Sequence, residues 1–261
     1  MSRICPIFSG STGNSTYIST SFGGILVDAG ASYKGICNAI SAAGGKMEEL
    51  KAIFVTHEHI DHVKGLKVLL KQHKIPLIAS TQTLKALADA DRIPQGATLI
   101  DANSCEGIGE ISVQRFATSH DCEGSSGYSF TLPDGKRMAV CTDLGTVTDT
   151  VRAALVGCDL ILIESNHDVS MLRQGPYPPA LKLRILSDSG HLSNFDCAAE
   201  LPELLRSGTT RFILGHLSQK NNLPMLAFSA ARAALMDIGA SQGEDYLLSV
   251  ARPDKNEVVP L

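Results

Sequence analysis

Seven residues, 56–62, restrict what this chain can fold into more than any other segment. They read Thr-His-Glu-His-Ile-Asp-His and follow a hydrophobic run, 52–55, that predicts a buried strand. Imidazole and carboxylate at this density suit a divalent transition metal. Because side chains two apart in an extended segment point the same way, His57 and His59 are expected to meet one ion. The segment therefore predicts a metal site at the carboxyl end of a strand.

Asp61 and His62 come at the turn into the next helix, where adjacent side chains are free to face a second ion. Four ligands that split two and two predict a binuclear site, which residues distant in sequence must complete. Isolated candidates follow other predicted strands: His120, Asp143 and His216. Loops at strand ends commonly carry functional sites, and this distribution disfavours the alternative of a solvated, histidine-rich turn.

The length of 261 residues, at 27.7 kDa, predicts a single domain, 1–261, since layered α/β folds reach this size as one unit. No apolar run approaches the ~20 residues that span a bilayer, and the first residues lead into a strand without a secretory hydrophobic region. The seven cysteines are scattered without a Cys-X-X-Cys pair, which argues against a disulfide framework. These features predict a protein of the reducing cytoplasm with no membrane partner.

The formal net charge is −4 and the pI is near 6.0. A protein that binds nucleic acid through overall charge is basic, so any nucleic-acid contact here must be local. One basic stripe occurs on the predicted helix after His62, with lysines three, four and three residues apart at Lys64, Lys67, Lys71 and Lys74. A solvated face is the usual meaning of such a stripe, and a track for a phosphate backbone is the alternative.

Short apolar runs alternate with helical periodicity, and no repeat or linker divides the chain. Predicted strands cover 4–8, 16–19, 24–28, 52–56, 77–79, 111–118, 128–132, 137–142, 159–164, 211–214 and 246–250. Predicted helices cover 33–43, 63–73, 81–88, 148–156, 180–187, 194–207 and 224–238. Two strand-rich halves with helices outside predict an α/β (α+β) fold, a four-layer αββα sandwich. Every candidate ligand then falls at the carboxyl end of a strand.

In this order the motifs resemble the metallo-β-lactamase superfamily. The resemblance rests on the His-X-His-X-Asp-His run at 57–62, an Asp-X-Gly turn at 28–30 and three downstream ligands, and it covers nearly the whole chain. It implies that one metal is held by His57, His59 and His120 and the other by Asp61, His62 and His216. It further implies that Asp143 bridges the two ions and that Asp28 orients the ligand loop through hydrogen bonds.

Finer motifs, at 9–15, 120–121, 142–145, 164–168, 190–194 and 215–218, resemble the bacterial YycJ/WalJ/VicX group. Members of that group are described as metal-dependent nucleases, with 5′-to-3′ exonuclease action on double-stranded DNA suggested for some. The resemblance implies a metal-dependent phosphodiesterase, a DNA exonuclease, with DNA rather than RNA as its substrate. It also implies two divalent ions, Zn²⁺ or Mn²⁺, with iron as a further option.

Two rival functions remain open on the sequence. The superfamily also contains hydrolases of thioesters and of cyclic or small phosphodiesters. The YycJ/WalJ/VicX group is linked to cell-wall two-component signalling, and the fold would also suit a non-catalytic regulatory protein there. The presence of every presumed ligand argues against a degenerate, non-catalytic site.

A second parallel is to the tRNA 3′-processing endonucleases of the superfamily, whose strand-end glutamate and Gly-His-Ser/Thr histidine act at the scissile phosphodiester. Glu164 and His191 resemble that pair. The implied chemistry has a metal-activated hydroxide attacking phosphorus, while His191 as imidazolium, held by Glu164, protonates the leaving oxygen. The catalytic candidates are therefore Asp61, Glu164 and His191. The plainer alternative places His191 beside a helix cap at Ser193.

Three further features allow simpler interpretations. The loop 9–15 is rich in glycine and small polar residues and is either an anion-binding loop or a plain hairpin turn. His167 and Asp168 either contact substrate phosphate or order their own loop. His73, at the end of the lysine-bearing helix, is expected to be solvated.

Overall fold

Two β-sheets of seven strands each, with helices against their outer faces, make up the computed structural model, which describes residues 1–261. The strands are β1 (Arg3–Phe8), β2 (Ser15–Thr20), β3 (Gly23–Val27), β4 (Leu50–Phe54), β5 (Leu77–Ala79), β6 (Leu99–Asp101), β7 (Gly107–Ile108), β8 (Ile111–Ala117), β9 (Ser126–Thr131), β10 (Arg137–Cys141), β11 (Leu160–Glu164), β12 (Arg211–Gly215), β13 (Leu247–Val250) and β14 (Val259–Pro260). The helices are α1 (Tyr33–Ala42), α2 (Ile60–Val63), α3 (Leu66–Gln72), α4 (Thr81–Asp89), α5 (Asp149–Leu155), α6 (Val169–Gln174), α7 (Pro179–Ile185), α8 (Asn194–Arg206) and α9 (Pro224–Asp237), with a 3-10 turn at Met47–Glu49.

Both sheets are mixed. The first has the order β14-β1-β2-β3-β4-β5-β6, antiparallel as far as β3 and parallel from β3 to β6. The second has the order β13-β12-β11-β10-β9-β8-β7, parallel from β13 to β10 and antiparallel from β10 to β7. Two antiparallel pairings give β8 the direction of β10. The carboxyl ends of β8, β10, β11 and β12 therefore share one edge.

Apolar side chains form three buried layers. The central layer lies between the sheets, because alternate residues of each strand face the opposite sheet, such as Phe54 from the first sheet and Tyr128 from the second. The outer layers pack the first sheet on α1 and α3, and the second on α5, α8 and α9. This arrangement confirms the predicted four-layer αββα sandwich.

The prediction of one helix over 63–73 is wrong, because this segment consists of α2 and α3 separated at Lys64 and Gly65. Gly65 N donates a hydrogen bond to Ala29 O at 2.8 Å. A Cβ at Gly65 would lie 2.2 Å from Ala31 O, so only glycine permits this close approach. The break therefore attaches the ligand segment to the turn after β3.

Several short elements were not predicted: α6, β6, β7, β14 and the 3-10 turn. Each has two to six residues, too few for a hydrophobic period to emerge from the sequence. None of the helices combines the length and the apolar character that crossing a bilayer requires.

Candidate metal centre

The turn after β3 positions the ligand segment through Asp28. This residue has a φ of +64°, a left-handed conformation that aspartate tolerates better than most residues. Its carboxylate accepts hydrogen bonds from Thr56 N at 2.8 Å, from Thr56 Oγ1 at 2.9 Å and from His62 Nδ1 at 2.8 Å. His62 Nε2 is then directed at the carboxylates of Asp61 and Asp143, 3.6 and 3.2 Å away.

Three further histidines repeat this arrangement, in which Nδ1 faces an oxygen of the protein and Nε2 remains for another partner. The Nδ1 contacts are His57 to Thr56 Oγ1 at 3.1 Å, His120 to Gly190 O at 3.0 Å and His216 to Glu164 Oε1 at 2.9 Å. Metal-binding histidines almost always donate their second ring N–H to such an oxygen, which fixes the tautomer. Four imidazoles are therefore oriented as metal ligands would be.

Asp143 lies at the centre of the cluster, with a φ of +59° and 2% exposure. One of its carboxylate oxygens is 3.3 Å from His216 Nδ1 and 3.9 Å from His120 Nε2. His59 Nδ1 lies 3.4 Å from His120 Nε2, and the rings of His57, His59 and His120 have centroids 4.6 to 5.1 Å apart. The structure thus brings together all seven candidate ligands: His57, His59, Asp61, His62, His120, Asp143 and His216.

Three buried polar atoms that form no hydrogen bond line the space between these side chains: His57 Nε2, Asp143 Oδ2 and His216 Nε2. Such atoms cost free energy unless something satisfies them. Donor atoms lie within 4.8 Å of one another in several sets, including His57 with His62 and Asp143, and Asp61 with His62 and His216. Mixed imidazole and carboxylate donors suit Zn²⁺, Mn²⁺ or iron, so these residues fit divalent cations.

The pKa shifts of the buried histidines are also consistent with bound metal ions. Burial lowers the pKa of His57 well below its ordinary value and also lowers that of His120, which favours the neutral form that binds metals. For His216, burial alone would lower the pKa, but Asp143 and the other carboxylates raise it to about 10. The carboxylates that raise the pKa of His216 would also attract bound cations.

Glu164, the last residue of β11, is wholly buried and holds two histidines. Its Oε1 accepts hydrogen bonds from His191 Nδ1 at 2.8 Å and from His216 Nδ1 at 2.9 Å, and its Oε2 accepts one from Leu144 N at 2.9 Å. Burial would raise the pKa of Glu164, but His191 and His216 lower it to about 2. Glu164 in turn raises the pKa of His191 against the effect of burial.

The side chain of His191 is 17% exposed, so its ring is accessible beside the cluster. The structure therefore brings Glu164 and His191 together, as the resemblance implied. Ser193 caps α8 by accepting a hydrogen bond from Asp196 N at 3.1 Å, so the helix cap and the Glu164 contact coexist. The contact between Glu164 and His216 was not predicted, since a single glutamate gives no sign of holding two histidines.

Asn14 was also missed by the sequence analysis. Its Nδ2 lies 3.0 Å from His62 Nε2 and donates to Asp61 Oδ2 at 3.2 Å, while its backbone N donates to Asp61 O at 2.7 Å. Its Oδ1 accepts a hydrogen bond from Gly10 N at 2.8 Å. The loop 9–15 therefore supports the ligand segment, and the amide of Gly10 is already used within the loop. No local pattern signals these contacts, because the partners are 47 and 48 residues apart.

His167, Asp168 and His73 are not among the groups of side chains that could hold a metal ion. His167 is 1% exposed and its ring nitrogens have no partner, while its backbone bridges to Ser193. Asp168 caps α6 by accepting from Met171 N at 2.8 Å. The backbone bridge and the helix cap order the loop, and a phosphate contact by either side chain remains a prediction. The prediction of a solvated His73 is wrong, since it is half-buried with Nε2 2.9 Å from the Tyr33 hydroxyl.

Comparison with known proteins identifies the family to which this chain belongs. Residues 24–217 match the model of the β-lactamase superfamily domain. The chain is 37% identical over 250 residues to exodeoxyribonuclease WalJ of Streptococcus pneumoniae, covering 94% of this chain and 93% of that one. It is 37% identical over 240 residues to exodeoxyribonuclease YycJ of Bacillus anthracis, with 91% and 90% covered. The crystal structure of Zn²⁺-bound PqqB from Methylobacterium extorquens has a TM-score of 0.70 over the whole of both chains at 18% identity, a likeness of fold alone.

Proposed function

This chain belongs to the β-lactamase superfamily and, within it, to the family of WalJ and YycJ, and we propose on this premise that it is a metal-dependent exodeoxyribonuclease. The observation that carries the proposal is the orientation of the histidines. Four imidazoles have Nδ1 turned to an oxygen of the protein, and their Nε2 atoms lie around the carboxylates of Asp61 and Asp143. Histidines that bind metals adopt this orientation, because the second ring N–H is donated to an oxygen of the protein.

The proposed ligands divide as the family pattern implies. His57, His59 and His120 would hold one divalent cation, Asp61, His62 and His216 would hold the other, and Asp143 would serve both. Two cations, when bound, lower the pKa of a water toward neutrality and offset the charge that develops on a phosphoryl group. Zn²⁺ and Mn²⁺ both suit this set of donors.

His191 has the position of a proton donor in this proposal. Glu164 accepts from its Nδ1, so the opposite ring nitrogen, Nε2, remains to protonate the leaving oxygen of the cleaved bond. The raised pKa of His191 keeps it protonated above the pH at which an ordinary histidine loses its proton. Glu164, ionised and buried, orients the imidazolium and stabilises its charge.

DNA is the proposed substrate, since both relatives carry the name exodeoxyribonuclease. The proposed 5′-to-3′ direction rests on the resemblance of the motifs to the YycJ/WalJ/VicX group alone. The cytoplasm is the proposed compartment, because DNA lies there in bacteria and all seven cysteines are free thiols. A cell fractionation that recovers the protein outside the cytoplasm would contradict this assignment.

The first test is hydrolysis of nucleic acid by metal-stripped protein to which Mn²⁺ or Zn²⁺ is returned. The substrates are 5′- and 3′-labelled duplex DNA, single-stranded DNA and RNA. We expect metal-restored shortening of DNA from one end, abolished by Asp61→Ala and unaffected by Asp89→Ala, an exposed carboxylate on α4. Two bound metals without cleavage of any nucleic acid would overturn the proposal in favour of a small phosphodiester or thioester.

A further inference from the structure

The backbone of His216 adopts a conformation that the chain does not favour by itself. Its φ is +54°, in the left-handed region, where the Cβ of an L-residue comes close to the following carbonyl oxygen. The residue directly follows β12 and is buried, so its peptide N–H and C=O lie away from water. Buried backbone groups need hydrogen-bond partners, and strained conformations persist only where the surrounding structure imposes them.

Side chains from two distant segments supply those partners. The N–H of His216 donates to Ser9 Oγ at 2.8 Å, and its carbonyl oxygen accepts a hydrogen bond from Asn166 Nδ2 at 2.9 Å. Both partners are buried, and they lie 207 and 50 residues away along the chain. Because one hydrogen bond lies on each side of the Cα, rotation of this backbone about φ or ψ would break at least one of them.

The side chain of His216 connects this backbone to the proposed metal centre. Its Nδ1 lies 2.9 Å from Glu164 Oε1, and its Nε2 lies 3.6 Å from Asp61 Oδ2. The direction of a side chain follows from its backbone conformation, so a change of φ at His216 would move Nε2 away from Asp61. Groups that orient a ligand in this way contribute to metal affinity without touching the metal.

Asn166 is well suited to this role, because its own backbone is fixed separately. Its N–H donates to Leu192 O at 2.8 Å, and its carbonyl oxygen accepts from Ser218 N at 2.8 Å. Replacement of the Asn166 side chain therefore removes the contact with His216 and leaves both of these backbone hydrogen bonds possible.

We propose that Ser9 and Asn166 are positioning residues, which hold the backbone of His216 in its left-handed conformation and so maintain the affinity of one cation site. That site is the one proposed for Asp61, His62 and His216, so the inference rests on the metal centre of the proposed function. Neither residue touches the reacting atoms, since both act through His216.

The other proposed cation site serves as an internal reference. His57, His59 and His120 form no hydrogen bond with Ser9 or Asn166. Loss of a group that supports a metal ligand typically weakens metal binding ~10–100-fold. We therefore expect a loss of this size at one site and little change at the other, whereas a general structural role would affect both.

A two-site metal titration tests the proposal. Metal-free wild type, Ser9→Ala and Asn166→Ala are titrated with Mn²⁺ by calorimetry, with Ser11→Ala, an exposed serine of the same loop, as control. Wild type and Ser11→Ala should show two sites, and one of these should be ~10–100-fold weaker in each of the other two variants. His216→Ala should lose that same site.

The contrary outcomes separate the two proposals. Equal weakening of both sites in Ser9→Ala and Asn166→Ala, or weakening of neither, would overturn the positioning role while leaving the metal centre in place. Two undiminished sites in His216→Ala would overturn the ligand assignment of the proposed function, and the positioning role with it. Urea unfolding of the metal-free proteins identifies any variant that does not fold, and the variant at the other position then tests the proposal by itself.

The double variant Ser9→Ala/Asn166→Ala tests whether both residues act on the same backbone. Removal of either one already frees the His216 backbone, so the second removal should weaken binding less than it does alone. The combined loss of affinity should therefore be smaller than the product of the two single losses. Losses that multiply would show two independent effects and would overturn the shared role.

Discussion

Among single residues, Glu164 links the proposed metal ligands to the proposed proton donor. Its Oε1 accepts one hydrogen bond from the ligand His216 and one from the donor His191. It is wholly buried, and its charge is stabilised by both imidazoles. Backbone strain is concentrated at the same place: Asp28, Asp143 and His216 all have positive φ values of 54° to 64°. Such conformations persist where the surrounding structure imposes them, typically at functional sites.

A leaving-group comparison isolates the role of His191. A proton donor matters for a poor leaving group such as the sugar alkoxide of DNA but not for 4-nitrophenolate, which departs without a proton. His191→Ala should slow DNA cleavage ~10²–10⁴-fold and leave bis(4-nitrophenyl) phosphate hydrolysis nearly unchanged, with metal content intact. Asp61→Ala, the control, should impair both substrates. Equal losses on the two substrates in His191→Ala would contradict the assignment.

The role of His191 as proton donor also predicts the direction in which pH changes DNA cleavage. Because the pKa of His191 is raised, its donating form is complete below the ordinary histidine range and is lost as pH rises through the raised value. DNA cleavage should therefore show an alkaline decline that bis(4-nitrophenyl) phosphate hydrolysis lacks. An alkaline decline of the same midpoint on both substrates would show that a different group titrates.

At the scale of elements, the turn after β3 and the break between α2 and α3 act as one unit. Ala29 N donates to His62 O at 2.7 Å, and Gly65 N donates to Ala29 O at 2.8 Å. The Asp-X-Gly turn thus contacts the ligand segment through both backbone and side chain. Gly30 is the tightest point, where a Cβ would lie 1.7 Å from Asp61 O.

Gly30→Ala tests this unit. The added methyl group has no space, so we expect destabilisation of about 3 kcal/mol and a loss of bound metal as the ligand segment shifts. Gly35→Ala, in α1, is the matched control, because its Cβ would meet Ser32 Oγ no closer than 3.1 Å and alanine favours a helix by ~0.5–1 kcal/mol. Urea unfolding and metal analysis measure both variants. Equal stability of Gly30→Ala and wild type would refute the packing argument.

In the molecule as a whole, both sheets supply residues to the metal centre. β3 and β4 bring Asp28 and the segment 57–62, while β8, β10, β11 and β12 bring His120, Asp143, Glu164 and His216. The net charge of −4 gives no general attraction to DNA, so a local basic surface has to supply it. The prediction that Lys64, Lys67, Lys71 and Lys74 share one helix face is wrong, because Lys64 lies at the break between α2 and α3 and Lys74 lies beyond the end of α3. In this lysine stripe on the surface, Lys64, Lys71 and Lys74 are exposed, and Lys67 is paired with Asp91.

A salt titration tests whether the stripe contacts DNA. In an inactive Asp61→Ala background, duplex binding is measured over a range of salt concentrations. Each lost phosphate contact should reduce the slope of log affinity against log salt by ~0.9, so Lys64→Gln with Lys71→Gln should lower it by up to ~1.8. Lys46→Gln with Lys51→Gln, at the amino end of β4, should leave the slope unchanged. Identical slopes in both pairs would mean that the stripe is only a solvated face.

Eleven of the fourteen strands, most helices and the candidate ligands could be predicted from the sequence alone, because they follow from short-range patterns: apolar runs, period-two histidines and an Asp-X-Gly turn. The single-domain organisation and the ligand roles remain predictions. Three features became visible only in the folded molecule: the separation of α2 from α3, the contact of Glu164 with His216, and the contact of Asn14 with His62. The reason is physical: these contacts join residues dozens of positions apart, and a local period carries no information about which distant side chains a sheet edge will bring together.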